Sequence, residues 1–393
     1  MKTKLFAIAM CFIAALNMSA QEVNKALVTG NADAAQKNAD ALKAADTGEK
    51  AWKFDGVISL NAAATGLVNW AAGGKNNVNG IATAKLHLLY HKDAIAWETN
   101  FNTEFGLTWL DQDEDAFQKS SDKIELITKF GWEFHKDFYL TVLGGFQSQY
   151  ALGRNYRTGY NDPISKFLAP SYTDISLGID YKHSVNGADF SVYLSPVAGR
   201  ITTAYVSEAW NKKYTEEMYN GAADDAIAAG TYADRAAYDA AFGPYDYDEM
   251  VAGQTDFRHI LQEKYGTYKF DADGNKDYRD FRAEFGLYFR GGIAYKYKDL
   301  TLGTTVALYT PYAWDKSEID DPYFKYRDMN RRFGNFDVDW DVAISYQFLK
   351  VLNVTLSTSL KYYNGTLVAD KHGNLAERVQ FKSVLGLGIG YSF

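Results

Sequence analysis

Side chains alternate with a period of two residues from Ile95 to Trp109, and this pattern constrains the fold more than any other feature. Apolar residues and Thr occupy the odd positions, while Glu, Asn and Thr occupy most of the even ones. Successive side chains of a β-strand point to opposite faces, whereas a helix would mix these two sets. The same alternation returns between Phe336 and Phe348. We therefore expect strands that have one apolar face and one polar face.

About twelve runs of strand length follow Trp52, and their connections alternate between short and long. The runs cover residues 52–65, 78–91, 94–109, 122–135, 138–152, 171–183, 188–199, 281–298, 300–311, 333–348, 351–363 and 376–393. Barrels of the bacterial outer membrane have short periplasmic turns and longer outer loops. The pattern predicts an all-β fold, a transmembrane antiparallel up-and-down β-barrel of about 12 strands.

The start of the chain resembles an export signal. Lys2 and Lys4 precede a short apolar run, and Ala20 stands where cleavage is expected, which predicts a signal peptide over residues 1–20. The run is too short for a membrane-spanning helix, which needs about 20 apolar residues. Cys11 is the only cysteine, so the mature chain would have neither a disulfide nor a catalytic thiol. Lipidation of Cys11 is the less favoured alternative.

The end of the chain indicates how the barrel would be assembled. Gly388, Tyr391 and the terminal Phe393 resemble the closing-strand signal of outer-membrane barrels. We expect residues 21–51 to form a periplasmic leader and residues 52–393 to form the barrel. The expected location is the outer membrane, and the expected partners are membrane lipid and, during biogenesis, the barrel-assembly machinery.

The composition fits a barrel and argues against other classes. Aromatic residues make up 16% of the chain, and barrels use such residues as girdles at both membrane boundaries. The formal net charge of −8 argues against nucleic acid as a partner.

The longest connection, residues 200–280, carries most of this negative charge. The segment from Arg200 to Asp280 contains 16 acidic and 9 basic residues. A loop of this length is normally functional or disordered. Its many Tyr residues favour an ordered, partly helical outer loop, with helices expected near 224–242 and 247–265.

One pair of residues invites comparison with a hydrolase. His183 and Ser184 resemble the Ser–His pair of outer-membrane phospholipases. However, they stand beside Asn186-Gly187, a dipeptide typical of a tight hairpin turn. No nucleophile, base and orienting group occur together, so we expect no enzymatic activity and no cofactor.

Residues 271–277 resemble part of a calcium-binding loop, because oxygen ligands occur at alternate positions. Lys276 replaces the required glycine, and Arg282 stands where the bidentate Glu should be. A polar hairpin tip explains the segment better, and no metal site is expected.

Charges of both signs fall on the polar faces of the strands. The candidate lumen-lining residues are Glu98, Glu104, Lys123, Glu125, Lys129, Glu133, Arg282, Glu284, Arg290, Asp337, Asp339, Asp341, Arg378 and Lys382. Buried charges must be paired or hydrated. The lumen is therefore either a pore with opposed acidic and basic rows or an interior filled by salt bridges. Lys361, Arg378 and Lys382 on neighbouring strands favour a structural network around residues 337–341.

A glycine pair flanked by Trp and Asn joins the first two strands. The segment consists of Asn69, Trp70, Gly73, Gly74 and Asn76. Together with the preceding Ser59-Leu60-Asn61, it resembles a family of uncharacterised Bacteroidota outer-membrane β-barrel proteins. The resemblance covers residues 52 to about 181 and the closing strands. It implies a location and a fold and brings no catalytic residues.

Three functional hypotheses follow from these patterns. The leading one is a channel for small polar solutes, because the predicted lumen is polar and of mixed charge. The alternative is a non-conducting barrel that scaffolds an envelope complex through its acidic outer loop or its leader. A hydrolase is the minor alternative.

Overall fold

The computed structural model describes residues 52–65, 77–111, 116–154, 163–271, 273, 275–312, 333–347, 352–369 and 375–392. Twelve long strands of this part form one closed antiparallel sheet. The barrel strands are β1 (Trp52–Thr65), β2 (Asn77–Lys92), β3 (Ile95–Leu110), β4 (Phe117–His135), β5 (Phe138–Ser148), β8 (Ser171–Val185), β9 (Ala188–Thr203), β12 (Phe281–Tyr297), β13 (Leu300–Pro311), β14 (Asp337–Gln347), β15 (Leu352–Tyr362) and β18 (Gln380–Ser392). The predicted all-β antiparallel barrel of about 12 strands is confirmed.

Each barrel strand pairs with its neighbours along the chain, and the first strand pairs with the last. The order around the ring is β1-β18-β15-β14-β13-β12-β9-β8-β5-β4-β3-β2. Pairs from Val57↔Ser392 to Leu60↔Ile389 join β1 to β18. Because closure leaves no edge strand, the backbone polar groups of the wall can satisfy one another without water.

The alternation seen in the sequence separates the two faces of the wall. On β8, Ile175, Leu177 and Ile179 are 60%, 45% and 48% exposed on the outside, whereas Ser176 and Asp180 are buried inside. An outer surface of exposed apolar side chains suits lipid, and a polar inner surface suits water or ion pairs.

Large side chains fill one side of the barrel interior. Leu143, Tyr193, Tyr288 and Tyr309 form a buried cluster with two alanines, and they come from β5, β9, β12 and β13. The Tyr193 and Tyr288 rings meet edge to face with 6.1 Å between their centroids. These side chains therefore take up part of the barrel interior next to these strands.

Residues 204–280 form a helical unit, here named the cap, at the end of the barrel that carries the long loops. It contains α1 (Glu208–Ala228), α2 (Arg235–Phe242), α3 (Tyr247–Ala252), α4 (Phe257–Tyr265) and a hairpin of β10 (Tyr268–Phe270) and β11 (Lys276–Tyr278). No helix of the described residues is long and apolar enough to cross a membrane. The helices differ from the expected ones, because α1 begins at residue 208 and a break at residues 229–234 separates it from α2.

The cap packs on neighbouring loops through its own apolar core. Val206, Tyr214, Phe257 and Leu261 are buried there against Ala169, which precedes β8. Two further short hairpins stand at the same end of the barrel and connect with the cap: β6 (Gly153–Arg154) with β7 (Pro163–Ser165), and β16 (Val368–Ala369) with β17 (Leu375–Ala376).

Candidate functional site: the barrel lumen and its cap

A cavity of about 420 Å³ lies inside the barrel. Asn100, Asn102, Lys123 and Glu125 line it from β3 and β4, and further polar residues line it from other strands. These residues lie inside because they occupy the polar positions of the alternation described above. The cavity therefore brings amide, ammonium and carboxylate groups together in one enclosed space.

Ion pairs bridge separated strands in the half of the barrel near the short turns. Lys182 Nζ on β8 lies 3.4 Å from Glu98 Oε2 on β3, although β4 and β5 stand between these strands. Lys129 Nζ on β4 lies 3.0 Å from Asp180 Oδ2 on β8. Asp180 is fully buried and also accepts a hydrogen bond from Ser191 Oγ at 3.2 Å. These pairs narrow the lumen at this level.

A second polar layer lies near the cap and centres on Arg200. Its Nε and Nη2 donate to the two carboxylate oxygens of Asp174 at 2.7 and 3.2 Å, and its Nη1 donates to Asp337 Oδ2 at 3.0 Å. The guanidinium also lies 4.5 Å from the centre of the Tyr309 ring. This arrangement satisfies the fork of the guanidinium on both sides and holds it rigidly.

Two aromatic rings meet across the lumen in the same layer. The centroids of Tyr172 on β8 and Tyr363, which follows β15, are 5.4 Å apart. Tyr363 Oη donates to Asp339 Oδ1 at 2.6 Å, and Asp339 Oδ1 also lies 3.0 Å from Lys361 Nζ. All four of these residues line the cavity, so this layer borders the open space on this side of the barrel.

On the opposite side, two lysines are more exposed than the charges of this layer, while their carboxylate partners are more buried. Lys382 Nζ on β18 lies 3.2 Å from Glu104 Oε1 on β3, and half of the Lys382 side chain is exposed. Lys123 Nζ lies 3.1 Å from Glu125 Oε1, with 34% of the Lys123 side chain exposed. Because all four residues line the cavity, this side has room for water or a small solute.

Most of the candidate lumen residues lie on the cavity wall or in a polar layer of the lumen. Those that line the cavity are Glu98, Glu104, Lys123, Glu125, Lys129, Arg290, Asp339, Asp341 and Lys382. Asp337 is buried beside Arg200, and Asn364 donates to it through its backbone N–H at 2.8 Å. The network expected around residues 337–341 is found only in part. Lys361 pairs with Asp339, but Lys382 pairs with Glu104 on β3, which lies beyond β1 and β2 in the ring.

Four candidates lie at the ends of the barrel. Glu133 Oε1 accepts the backbone N–H of Asp137 at 3.2 Å in a short turn. Arg282 Nη1 donates to the Gly266 carbonyl of the cap, and its Nε lies 3.3 Å from Glu284 Oε2. Arg378 precedes β18 and lies outside the strand in which the sequence placed it.

Arg200 was not among the predicted lumen residues, because the predicted strand ended at residue 199. The strand continues to Thr203, so Arg200 and Thr202 remain on the inner face. The signal was present, because Ile201 is apolar between these two polar residues. These last inward-facing positions were assigned to the large loop, which was taken to begin at residue 200.

The last turn of α4 reaches across the mouth of the barrel. Lys264 accepts the backbone N–H of Leu367 at 3.0 Å and donates through Nζ to the Ile164 carbonyl at 3.2 Å. Tyr265 Oη donates to the same carbonyl at 3.1 Å. The loops that carry Leu367 and Ile164 stand half the ring apart, because β15, β14, β13, β12, β9 and β8 lie between them. The cap therefore spans the opening.

A buried polar cluster holds the cap helices together. Asp256 is fully buried, and Asn211 Nδ2 donates to its Oδ2 at 2.6 Å, while His259 Nδ1 contacts its Oδ1. Burial by itself would raise the pKa of Asp256, but the hydrogen bonds from His259 and Asn211 hold the pKa below its usual value. Asp256 is therefore a carboxylate that joins α1 to the start of α4.

The hydrolase-like pair and the calcium-like segment lie in ordinary turns. Asn186 and Gly187 both have positive φ, as the turn beside Ser184 requires. Asp271 Oδ1 accepts the backbone N–H groups of Asp273 and Asn275 at 2.9 and 2.8 Å in a hairpin tip.

The loop motif Asn69, Trp70, Gly73, Gly74 and Asn76 lies outside the described residues, as does the terminal Phe393. The structure describes the backbone of Gly388 and Tyr391 within β18. Among the described residues, no group of three or more His, Cys, Asp or Glu side chains could hold a metal ion.

The fold and the lumen define the class of the protein: an integral membrane β-barrel of the outer-membrane type, with a polar interior and a cap. Residues 62–154 match the model of a family described as a protein of unknown function (DUF3078). No curated protein matches the sequence.

Several solved outer-membrane barrels are similar in structure. An outer membrane channel from Pseudomonas putida F1 is 9% identical with a TM-score of 0.35, and the match covers 88% of this chain and 97% of the channel. The translocator domain of the autotransporter NalP from Neisseria meningitidis is 10% identical with a TM-score of 0.31, covering 93% and 98%. Outer membrane phospholipase A from Escherichia coli is 10% identical with a TM-score of 0.31, covering 86% and 89%. At these identities and TM-scores, the similarities carry no conclusion about activity.

Proposed function

We propose that this protein is an outer-membrane channel for small polar solutes, with a path along the β2–β4 side of the lumen that is covered by the cap. One observation carries the proposal: a cavity of about 420 Å³, lined by charges of both signs, lies inside a closed barrel. A barrel interior built only for stability has no need of half-exposed charges.

The distribution of bulk inside the barrel supports a path on one side. Tyr193 on β9 and Tyr309 on β13 are buried and do not line the cavity, whereas Tyr288 borders it and Asn100 and Asn102 face it from β3. A solute would therefore pass along amide and charged groups and avoid the packed aromatic side.

The charges of the cavity favour solutes that are polar and carry little net charge. Glu104 faces Lys382, and Glu125 faces Lys123, so each carboxylate has an ammonium group beside it. A ring of one sign would select ions of the other sign. Paired signs instead suit neutral or zwitterionic solutes, which can exchange hydrogen bonds with both groups.

The remaining expectations about the chain belong to the same proposal. We propose export by a signal peptide cleaved after Ala20, assembly by the barrel-assembly machinery, and a wall in contact with outer-membrane lipid. The resemblance of the 69–76 segment to Bacteroidota barrels is compatible with this location. We assign the protein no enzymatic role.

Charge reversal in the cavity tests the proposal. The purified full chain is reconstituted in planar bilayers, and the ratio of cation to anion permeability is measured from reversal potentials in a salt gradient. Glu125→Lys should lower this ratio and Lys123→Glu should raise it, because each leaves an unpaired charge beside the path.

The matched control is Arg279→Glu, whose side chain is 50% exposed in the cap and is paired with Asp277. It should leave the permeability ratio unchanged. Failure of both cavity variants to shift the ratio, while the protein conducts, would place the path elsewhere. Absence of conductance in every variant and in a chain that lacks the cap would reject the channel.

The second candidate function is a scaffold in an envelope complex. It is favoured by the cap, which has its own core and leaves Phe242 62% exposed. Cross-linking of the native protein in intact cells would support this function if a second envelope protein were recovered with the wild type and lost with Phe242→Ser.

A further inference from the structure

Two lysines and an aromatic group form a patch on the rim of the barrel. Lys166 Nζ lies 5.4 Å and Lys213 Nζ lies 5.2 Å from the centre of the Trp210 ring. The indole also stacks on Tyr214, with centroids 5.3 Å apart and planes inclined by 12°. Lys166, Phe167, Tyr205, Trp210 and Lys213 are named the rim patch here.

The two ammonium groups have no carboxylate partner within ion-pair distance among the described residues. Glu217, one helical turn after Lys213, is instead paired with Arg154. Two positive charges, one from the segment before β8 and one from the acidic cap, are thus held near one ring. Such a pair favours an anion with several oxygens, and phosphate is the common group of this kind.

The aromatic members of the patch remain open to their surroundings. Phe167, Tyr205 and Trp210 are each 44% exposed. The backbone N–H of Tyr205 donates to the Leu168 carbonyl at 3.0 Å, which ties the segment before β8 to the segment after β9. Exposed aromatic residues beside lysines are typical of the boundary between lipid and water.

The patch continues the lipid-facing surface of β8 and β9. Tyr205 lies two and four residues after Thr203 and Ile201, while the intervening Thr202 and Ala204 are buried. Tyr205 therefore extends the outward-facing row beyond the end of the strand. Below it, Ile175 and Val197 are 60% and 58% exposed.

We infer that the rim patch binds a phosphate-bearing lipid of the outer leaflet, such as lipid A. The acyl chains would lie along the apolar face of β8 and β9, and a headgroup phosphate would lie between Lys166 and Lys213. The lysine stems can pack on the aromatic rings while their ammonium groups reach the headgroup. This inference does not depend on conduction through the lumen.

Lipid titration of the full chain tests the inference. Native mass spectrometry of the detergent-solubilised protein gives the apparent Kd for lipid A. The double variant Lys166→Gln/Lys213→Gln should weaken binding about 30-fold, since each basic residue near an anionic headgroup contributes roughly 1 kcal/mol.

The matched control is Lys212→Gln/Lys269→Gln, which removes the same charge from two exposed lysines of the cap outside the patch. It should change the Kd less than about twofold. An equal change in both double variants, or no change in either, would overturn the inference.

A competition arm distinguishes a lipid site from a site for free phosphate. Inorganic phosphate, at the same concentration as the headgroup phosphate, should leave lipid A bound, because the apolar face holds only the lipid. Displacement by inorganic phosphate at that concentration would contradict the assignment to a lipid.

Discussion

Arg200 and Asp337 join β9 to β14 through a contact of 3.0 Å between Nη1 and Oδ2, although β12 and β13 lie between these strands. Arg200 also holds Asp174 on β8. A single side chain therefore fixes three strands relative to one another at the level below the cap.

Removal of the guanidinium should destabilise the barrel. Arg200→Met leaves Asp337 buried without a cation, and breaking a buried pair in this way costs about 3–5 kcal/mol. The free energy of unfolding in urea measures this loss of stability. Unfolding is detected by the change in gel mobility on heating. Lys129→Met, which breaks one pair with Asp180, should cost less, because Lys182 Nζ still lies 3.8 Å from that carboxylate. A larger loss for Lys129→Met than for Arg200→Met would contradict this ranking.

The lipid face should respond to charge according to depth. Leu177 is 45% exposed near the middle of β8, and Leu177→Arg should reduce the free energy of unfolding by about 2–4 kcal/mol. Phe281 is 58% exposed at the cap end of β12, and Phe281→Arg should cost about 0–1 kcal/mol. Equal effects in lipid vesicles would mean that the apolar band is placed wrongly.

Docking of the cap should strengthen as the pH rises above 8. Burial lowers the pKa of Lys264 to about 8, against an ordinary value of 10.5. Docking of the cap therefore disfavours the charged form of Lys264. The resulting free-energy penalty on docking is complete below pH 8 and disappears as the pH approaches 10.5. The gain is on the order of 2 kcal/mol.

Hydrogen exchange at the amide of Leu367, which bonds to Lys264, measures this docking after correction for intrinsic rates. Protection should rise between pH 8 and 10 in the wild type. Lys264→Met should abolish the increase, and an unchanged increase in that variant would assign it to another group.

Acid should loosen the cap. The depressed pKa of Asp256 means that its contribution is present above its unfolded pKa of about 3.8 and is lost as the pH falls below that value. Asp256→Ala should destabilise the cap by roughly 2–4 kcal/mol at pH 7, since Asn211 and His259 lose their buried partner. Limited proteolysis within residues 204–280 reports this change. Equal protease resistance of the variant and the wild type at pH 7 would contradict it.

The sequence was sufficient for the strands but insufficient for the lumen contacts. The alternation from Ile95 to Trp109 distinguishes the two faces of one strand. Because such a pattern lies within a single segment, each strand could be recognised from its own residues. Contacts such as Glu98 with Lys182 depend on the stagger between distant strands. That stagger is set by the closure of the whole barrel and is not encoded in any one segment.

The cap was harder to predict for a different reason. α1 buries Asn211 and Thr215, which are polar, and it exposes much of Trp210. A search for an apolar helical face therefore finds little signal near residue 208. The buried face of α1 depends on hydrogen bonds to Asp256 and to the start of α4, which only the folded arrangement reveals.

Removal of the cap provides the most direct test of the proposed channel. Ala204 N–H donates to the Asp280 carbonyl at 2.8 Å, so an Asn-Gly turn can replace residues 205–279 without moving β9 or β12. Single-channel conductance in planar bilayers is then compared with that of the full chain. A capped path predicts rare or small steps in the full chain and frequent, larger steps in the deletion variant. A deletion variant that is correctly folded by gel mobility but gives no steps at any voltage would contradict the channel.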